Sequence, residues 1–152
     1  MKVLFYQRGN VKDPIGLFSL FAVLHGKHDV SYCRTEAELK NALSLRPDFL
    51  MFSVYTGDSE YFKKLAEEVK KQYPEIKIVA GGPHPTFYPK YLDECEAFDA
   101  VCLGEGEGPV EKFLEFSGEG TAHLKTPNFY IRAGGEIIRN PLEPRIADLD
   151  AL

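Results

Sequence analysis

The 152-residue sequence has little cysteine, and what it has is not arranged to bind a metal. Cys33, Cys95 and Cys102 are its only cysteines, and no two of them form a CxxC pair. An odd number of separated thiols in apolar surroundings is typical of buried, reduced cysteines. The sequence therefore offers no thiolate metal cluster and predicts a reducing, cytoplasmic location.

A long apolar run and a basic stripe are also missing. The most apolar stretch, Ile15–Leu24, is interrupted by Ser19 and is shorter than the roughly 20 residues that cross a bilayer or the usual signal peptide. The 18 lysines and arginines are interspersed among 23 acidic residues, for a net charge of -5, so nothing favours a phosphate backbone. We expect one domain, with neither membrane nor nucleic acid as partner.

What the sequence does contain is a strict alternation of strands and helices. Short apolar segments at 2–6, 29–34, 49–55, 77–80 and 100–103 are predicted strands. Helices are predicted after them at 15–24, 35–45, 59–73, 89–95 and 109–116. Five such units predict an α/β fold with a doubly wound, five-stranded parallel sheet, flavodoxin-like or Rossmann-like in type.

Local signals add detail to three of these helices. Thr35 and Glu38 have the spacing of a capping box at the start of the second helix. Asp58 and Ser59 are predicted to cap the third. The first helix is apolar on every side, which predicts burial between the sheet and another element.

The last third of the chain has a different pattern. Apolar segments at 128–131 and 137–139 flank Gly134 and Gly135, which predicts a β-hairpin. The proline-bearing stretch after it has no closing element and predicts a linker to a further domain. The predicted division is an α/β domain at 1–118, a hairpin extension at 119–140 and a linker at 141–152.

Two loops rich in glycine follow neighbouring predicted strands. Residues 81–86 read Gly-Gly-Pro-His-Pro-Thr after the fourth strand, and residues 104–108 read Gly-Glu-Gly-Glu-Gly after the fifth. The carboxyl ends of parallel strands meet at one edge of the sheet, where such folds bind ligands. One ligand could therefore contact both loops.

Three common ligands of such an edge do not fit these residues. A dinucleotide needs GxGxxG after the first strand, and residues 7–11 lack it, while Glu105 and Glu107 would repel phosphate. A phosphate-accepting receiver domain needs an aspartate at the end of the third strand, where residues 53–55 read Ser-Val-Tyr. Flavin needs a hydroxyl-rich loop after the first strand, and this loop has none before Ser19.

The arrangement resembles the cobalamin-binding domain at the front of B12-dependent radical SAM proteins, over essentially the whole chain. The cobalamin-mutase pattern is DxHxxG, then SxL, then GG. Here Ser-Val-Tyr at 53–55 precedes the glycine pair at 81–82 by a similar spacing, while residues 6–11 carry neither the aspartate nor the histidine. That departure is typical of the radical SAM branch, which the loops, the hairpin and Asp-Leu-Asp at 148–150 also resemble.

This resemblance implies base-off cobalamin, with no histidine on the cobalt and with the nucleotide tail in a slot beside the sheet. The lower axial position of the cobalt would be empty, water-bound or shielded by a side chain of the first loop, such as Gln7, Arg8 or Asn10. It implies no catalytic residue and no metal ligand here, and a C-terminal radical SAM domain of the same chain with a 4Fe-4S cluster, S-adenosylmethionine and a small-molecule substrate. The implied cofactor-binding residues are Ser53, Tyr55, Thr56, Gly57, Gly81, Gly82, Pro83, His84, Thr86, Gly104, Glu105, Gly106 and Glu107.

Plainer interpretations stay open. His84 could hydrogen-bond only its loop, Ser53 only its own backbone, and Glu105 and Glu107 could be acids favoured at a helix N-terminus.

Two other functions also stay open. One is a domain that lost the cofactor and serves in docking or substrate recognition. The other is an enzyme using the acidic loop, which the absence of a paired base and nucleophile disfavours.

Overall fold

Seven strands form one sheet in the computed structural model, which describes residues 1–9 and 15–144. The strands are β1 (Lys2–Tyr6), β2 (Asp29–Cys33), β3 (Phe49–Ser53), β4 (Lys77–Gly81), β5 (Ala100–Cys102), β6 (Phe129–Ala133) and β7 (Glu136–Arg139). Their order is β2-β1-β3-β4-β5-β6-β7. The first five are parallel and the last two antiparallel, so the predicted parallel sheet and hairpin are both confirmed. The hairpin adds its strands to the edge of that sheet beside β5.

Among the described residues, five helices connect or follow the strands. They are α1 (Ile15–Leu24), α2 (Glu36–Leu43), α3 (Ser59–Gln72), α4 (Pro83–Phe87) and α5 (Glu107–Ser117). Short 3-10 turns cover Thr56–Asp58, Pro89–Leu92 and Ala122–Lys125. Within the described part of the chain, no helix has the length and apolar character needed to cross a bilayer.

Helices cover both faces of the sheet, because strand side chains alternate between them. One face packs against α2, α3 and the turn at Pro89–Leu92, around Leu4, Phe52, Phe62 and Ile78. The other face packs against α1 and α5, around Phe5, Met51, Val79 and Phe113. The chain therefore has a core on each side of one sheet, as in a doubly wound fold.

The sequence signals for the start of α2 are confirmed, whereas the helix predicted after β4 differs from the one observed. The capping box of Thr35 and Glu38 is present, with both reciprocal hydrogen bonds. Asp58 stands at the N-cap position of α3 as predicted, but its side chain makes no capping hydrogen bond. Its carboxylate pairs with Arg8 at 3.0 Å, and the Ser59 hydroxyl donates to the Thr56 carbonyl. The predicted helix at 89–95 is a shorter 3-10 turn, and a helix not predicted, α4, forms just before it.

The prediction that α1 is buried on both sides is wrong for the described chain. Leu17 and Leu24 face the sheet and are buried, but Ile15 is 73% exposed and Phe18 is 54% exposed. The reason is geometric, since α1 contacts the sheet and α5 on one side and no described element covers the other. Of the predicted linker, residues 145–152 lie outside the described residues, and residues 141–144 follow β7 without regular structure.

Candidate ligand site at the carboxyl edge of the sheet

A cavity of about 350 Å³ lies at the carboxyl edge, on the face covered by α1 and α5. Its floor comes from the ends of four neighbouring strands. In sheet order the floor residues are Phe5 and Gln7, Met51 and Ser53, Val79 and Gly81, and Cys102. They share a face because each pair is two residues apart and because Ser53 lies opposite Gly81 in the strand register. Both the alternation and the register therefore build the floor.

The walls come from the two helices on this face and from the second glycine loop. They include Gly16, Leu17 and Leu20 of α1, Glu107 and Val110 of α5, Gly104, Glu105 and Gly106 of the loop, and Tyr55, Gly82 and Pro83 after the strands. Tyr55 is 40% exposed, and Gly104 is also exposed, so the cavity opens to solvent at the edge. The result is a mostly apolar pocket with a polar rim, which is a common form of small-molecule site.

The two adjacent glycines at the end of β4 have different roles. Gly82 has φ +94, and a Cβ there would lie 3.0 Å from the Val54 nitrogen and 3.1 Å from its oxygen. A side chain at Gly82 would therefore strain the backbone and push against the chain that follows β3. A Cβ at Gly81 would meet its nearest atoms, in Cys102, at 3.8 Å, which is ordinary contact. Gly82 is required by the fold, whereas Gly81 leaves space in the floor.

The hydroxyl of Thr86 joins the two glycine loops. It donates to the Gly82 carbonyl at 2.8 Å and accepts from the Gly104 N–H at 2.9 Å. Gly104 has φ +71, a conformation that glycine adopts without a steric penalty. One side chain thereby holds both walls of the edge at a fixed separation. Thr86 lines a second cavity but not the first.

The second cavity, of about 580 Å³, also borders the Gly104–Glu105 segment. It shares that segment, together with Gly82 and Pro83, with the first cavity. Its remaining lining is Thr86, Phe87, Leu103, Gly108, Pro109, Asn128, Leu142, Glu143 and Pro144. Phe87, at its margin, is 87% exposed. The edge thus offers two adjoining cavities that share one loop.

His84 and Thr56 lie together, and neither lines either cavity. The Nδ1 atom of His84 is 3.3 Å from the Thr56 hydroxyl, and the imidazole packs edge-on against Tyr91 with ring centres 4.6 Å apart. Burial lowers the pKa of His84 and so favours its neutral form. Gly57 is likewise absent from both linings, and no atom lies within 4 Å of the position of its Cβ. A contact between these three residues and a ligand stays a prediction.

Nine predicted residues line the first cavity: Ser53, Tyr55, Gly81, Gly82, Pro83, Gly104, Glu105, Gly106 and Glu107. Sequence reasoning missed the apolar floor and walls, which are Phe5, Leu17, Leu20, Met51, Val79 and Val110. Apolar strand and helix residues carry no signal that separates a cavity wall from ordinary core. They become recognisable only when α1 and α5 are placed on the sheet.

Asn128 is a further residue that the site depends on. Its side-chain N–H donates to the Glu105 carbonyl at 3.2 Å, and its own carbonyl accepts from Leu103 N–H at 2.8 Å. Its side-chain oxygen also accepts from the Glu143 N–H at 2.6 Å. Asn128 has φ +63, a conformation that asparagine tolerates better than most residues, and that is the one local signal it offers. It holds the second glycine loop from the hairpin side.

Gln7 is the buried polar residue of the floor. Its side chain is 2% exposed, and neither amide atom has a hydrogen-bond partner among the described residues. Such a group is rare, because an unpaired buried amide destabilises the fold. Elsewhere in the floor, on β5, burial raises the pKa of the Cys102 thiol to about 12, so that thiol stays protonated and is not a nucleophile.

Arg8, the other described candidate for the lower face of a corrin, is already engaged. Its guanidinium pairs with Asp58 at 3.0 Å and lies 4.4 Å from the centre of the Tyr61 ring. The Tyr61 hydroxyl in turn contacts the Tyr6 hydroxyl at 2.8 Å and donates to Glu36 at 3.0 Å. This network fixes Arg8 at the edge of the sheet. The third candidate, Asn10, lies outside the described residues.

Comparison with known proteins gives a consistent result. The family model of the B12 binding domain matches residues 1–114. The chain is 26% identical over 155 residues to the uncharacterized methyltransferase PH0819 of Pyrococcus horikoshii, an alignment that covers 95% of the chain. It is 29% identical over 107 residues, 69% of the chain, to the cobalamin-dependent radical SAM methyltransferase TokK of Streptomyces tokunonensis.

A solved structure shares the fold. The cobalamin-dependent S-adenosylmethionine radical enzyme OxsB, with aqua-cobalamin and S-adenosylmethionine bound, matches 95% of this chain with a TM-score of 0.77 and 15% identity. The match covers 23% of that enzyme, and the chain spans 33% of the length of PH0819 and 16% of TokK. The chain therefore corresponds to one part of much longer relatives.

Proposed function

The chain belongs to the B12-binding domain family, and on that premise we propose that it holds cobalamin with the nucleotide tail in the cavity of about 350 Å³. The observation that carries the proposal is the cavity itself. It opens at the carboxyl edge, between the end of β3 and the glycines after β4, where the sequence pattern of the family predicts the tail. A buried amide without a partner in its floor also fits a ligand that this chain alone does not supply.

Each part of the cavity has a defined task in this proposal. Gly81 leaves room in the floor, and Ser53 beside it offers a hydroxyl to the tail. The loop at 104–106 forms the opposite wall, held by Thr86 and Asn128. When bound, cobalamin supplies a cobalt centre for group transfer, and this chain supplies binding and orientation.

We further propose that the cobalamin is base-off and that the chain gives the cobalt no histidine. No histidine is found among the described residues that line the cavity. Arg8 occupies the region of the first family motif, but a guanidinium has only N–H donors and no acceptor atom, and so is not a metal ligand. Its contacts with Asp58 and Tyr61 support a fixed cation at this edge instead.

The proposal extends to a longer protein. The full chain would carry a C-terminal radical SAM domain with a 4Fe-4S cluster and S-adenosylmethionine, and would carry out methyl transfer or another radical reaction. TokK, a cobalamin-dependent radical SAM methyltransferase much longer than this chain, supports that extension. Three free, buried cysteines suit a reducing compartment and so support a cytoplasmic location.

The test is retention of hydroxocobalamin by the purified 152-residue chain, followed by the visible spectrum of what stays bound. We expect stoichiometric retention with a base-off spectrum. Gly81→Leu should abolish retention, because the leucine side chain would fill the cavity. It should not unfold the chain, because a Cβ at this position meets its nearest atoms at 3.8 Å. Ala22→Leu, which adds the same side chain to the exposed side of α1, is the control and should retain cobalamin.

The outcomes separate the alternatives. Equal retention of cobalamin by Gly81→Leu and by the control would show that the nucleotide tail does not bind in this cavity. No retention by the chain or by the longer protein would favour a docking or substrate-recognition domain that has lost its cofactor.

A further inference from the structure

Gln7 is the polar exception in an apolar part of the cavity. It follows β1, and its backbone N–H donates to the Cys33 carbonyl at 3.3 Å, so the main chain at this position is held by the sheet. The side chain points to the face shared with Phe5, where both residues line the cavity. Its amide nitrogen and oxygen are both buried and both without a partner among the described residues.

The surroundings define what could pair with this amide. Apart from Ser53, the other floor residues are apolar side chains, Gly81 and, three strands away on β5, the protonated thiol of Cys102. A partner must therefore enter from the open end of the cavity. A flat heteroaromatic ring suits the space, because its faces bury apolar surface while a ring nitrogen accepts a hydrogen bond. An amide that turns about its terminal torsions can present its N–H group to such a nitrogen.

We propose that the Gln7 amide donates a hydrogen bond to the ring nitrogen of the heteroaromatic base at the end of the corrinoid tail. In the base-off state that nitrogen has left the cobalt and has a free lone pair. The pairing exchanges an unpartnered buried amide for a bonded one, so it contributes to binding and makes the cavity selective for corrinoids with a nitrogenous base. This inference rests on the proposed function, because it requires that the tail enter this cavity.

The experiment measures the dissociation constants of hydroxocobalamin and of cobinamide, a corrinoid without the nucleotide tail, for the chain and for Gln7→Met. Methionine nearly matches glutamine in size but has no N–H group. We expect Gln7→Met to weaken cobalamin binding by about ten- to a hundredfold, the usual effect of losing one buried hydrogen bond, and to leave cobinamide binding unchanged. Gln72→Leu, on the exposed end of α3, is the control and should alter neither.

A second readout distinguishes this role from a structural one. Removing an unsatisfied buried amide should leave the thermal midpoint of the ligand-free chain unchanged or higher. If methionine at this position lowers that midpoint, Gln7→Leu serves as the second variant, and a drop in both shows that Gln7 is needed for the fold and overturns the inference.

The binding outcomes are equally decisive. Equal weakening of cobalamin and cobinamide, or no weakening of either, would overturn the inference while leaving cobalamin binding in place. Failure of both the unaltered chain and the longer protein to bind cobalamin would instead overturn the proposed function, and the inference with it.

Discussion

The two faces of the sheet are built from the same strands but end differently at the carboxyl edge. On the α2–α3 face, aromatic rings fill the space up to the edge, with Phe52 and Phe62 centred 4.9 Å apart and the Tyr6 and Tyr61 hydroxyls 2.8 Å apart. On the α1–α5 face the packing stops at Phe5, Met51 and Val79, and a cavity follows.

The difference lies in the size of the last residue on each strand. The next floor positions on the α1–α5 face are Gln7, Ser53 and Gly81, and Gly16 and Gly106 stand in the helix and loop above them. Ser53 and Gly81 in the last row, with Gly16 and Gly106 above them, are small and leave a cavity where large rings would have completed a core. One sheet can thereby be closed for stability on one side and open for binding on the other.

The largest expected loss of stability is on the closed face of the sheet, which α2 and α3 cover. Phe62→Ala should lower the free energy of unfolding by about 3–5 kcal/mol, because Phe62 is 1% exposed and its removal leaves a hole among rings. Leu20→Ala, on the cavity wall, should cost clearly less, because that side chain already lacks partners on one side. Urea unfolding measures both, and an equal loss would contradict the contrast between the two faces.

The next effect separates the two adjacent glycines. Gly82→Ala should destabilise the chain by about 1–3 kcal/mol, because of its positive φ and the backbone of Val54. Gly81→Ala should be neutral or stabilise by about 0.4–1 kcal/mol, because its conformation is ordinary and its Cβ meets nothing closer than 3.8 Å. Chemical denaturation of the pair is the measurement. Similar losses would mean that both glycines serve the fold.

A smaller effect is expected where the two loops are joined. Thr86→Val removes both hydrogen bonds of the hydroxyl at similar volume and should cost about 1–2 kcal/mol. Thr86→Ser, which keeps the hydroxyl, should recover most of that stability and of the cobalamin affinity. If valine and serine behave alike, the bridge does not hold the cavity walls.

The smallest effect is on the pH dependence of stability. Burial lowers the folded-state pKa of His84 and of His28 below the ordinary value of 6.5, so the unfolded chain binds protons more readily. The two histidines contribute fully to the free energy of unfolding at pH values above the unfolded-state pKa of 6.5. This contribution declines as the pH falls from there toward the lower folded-state pKa. His84→Gln and His28→Gln should each flatten part of the decline in unfolding free energy between about pH 7 and pH 5. An unaltered slope in the double variant would assign the decline to other groups.

Much of the architecture could be predicted because its signals are local. Strand alternation, the Thr35 capping box and the glycine pair of the hairpin each depend on residues close in sequence, and each was confirmed. Asp58 lies at the predicted N-cap position of α3, but its carboxylate pairs with a long-range partner, Arg8, and makes no capping hydrogen bond. The helix Pro83–Phe87 was missed because prolines at its first and third positions conceal any helical periodicity.

The sequence by itself determined an alternating α/β chain with two glycine loops on one edge of a parallel sheet, since periodicity and chain order suffice for that. Only the tertiary structure decided that Gly82 serves the fold while Gly81 leaves space, that Thr86 joins the loops, and that the Gln7 amide is buried without a partner. The physical reason is that these properties depend on atoms brought together from distant parts of the chain, which no local pattern records.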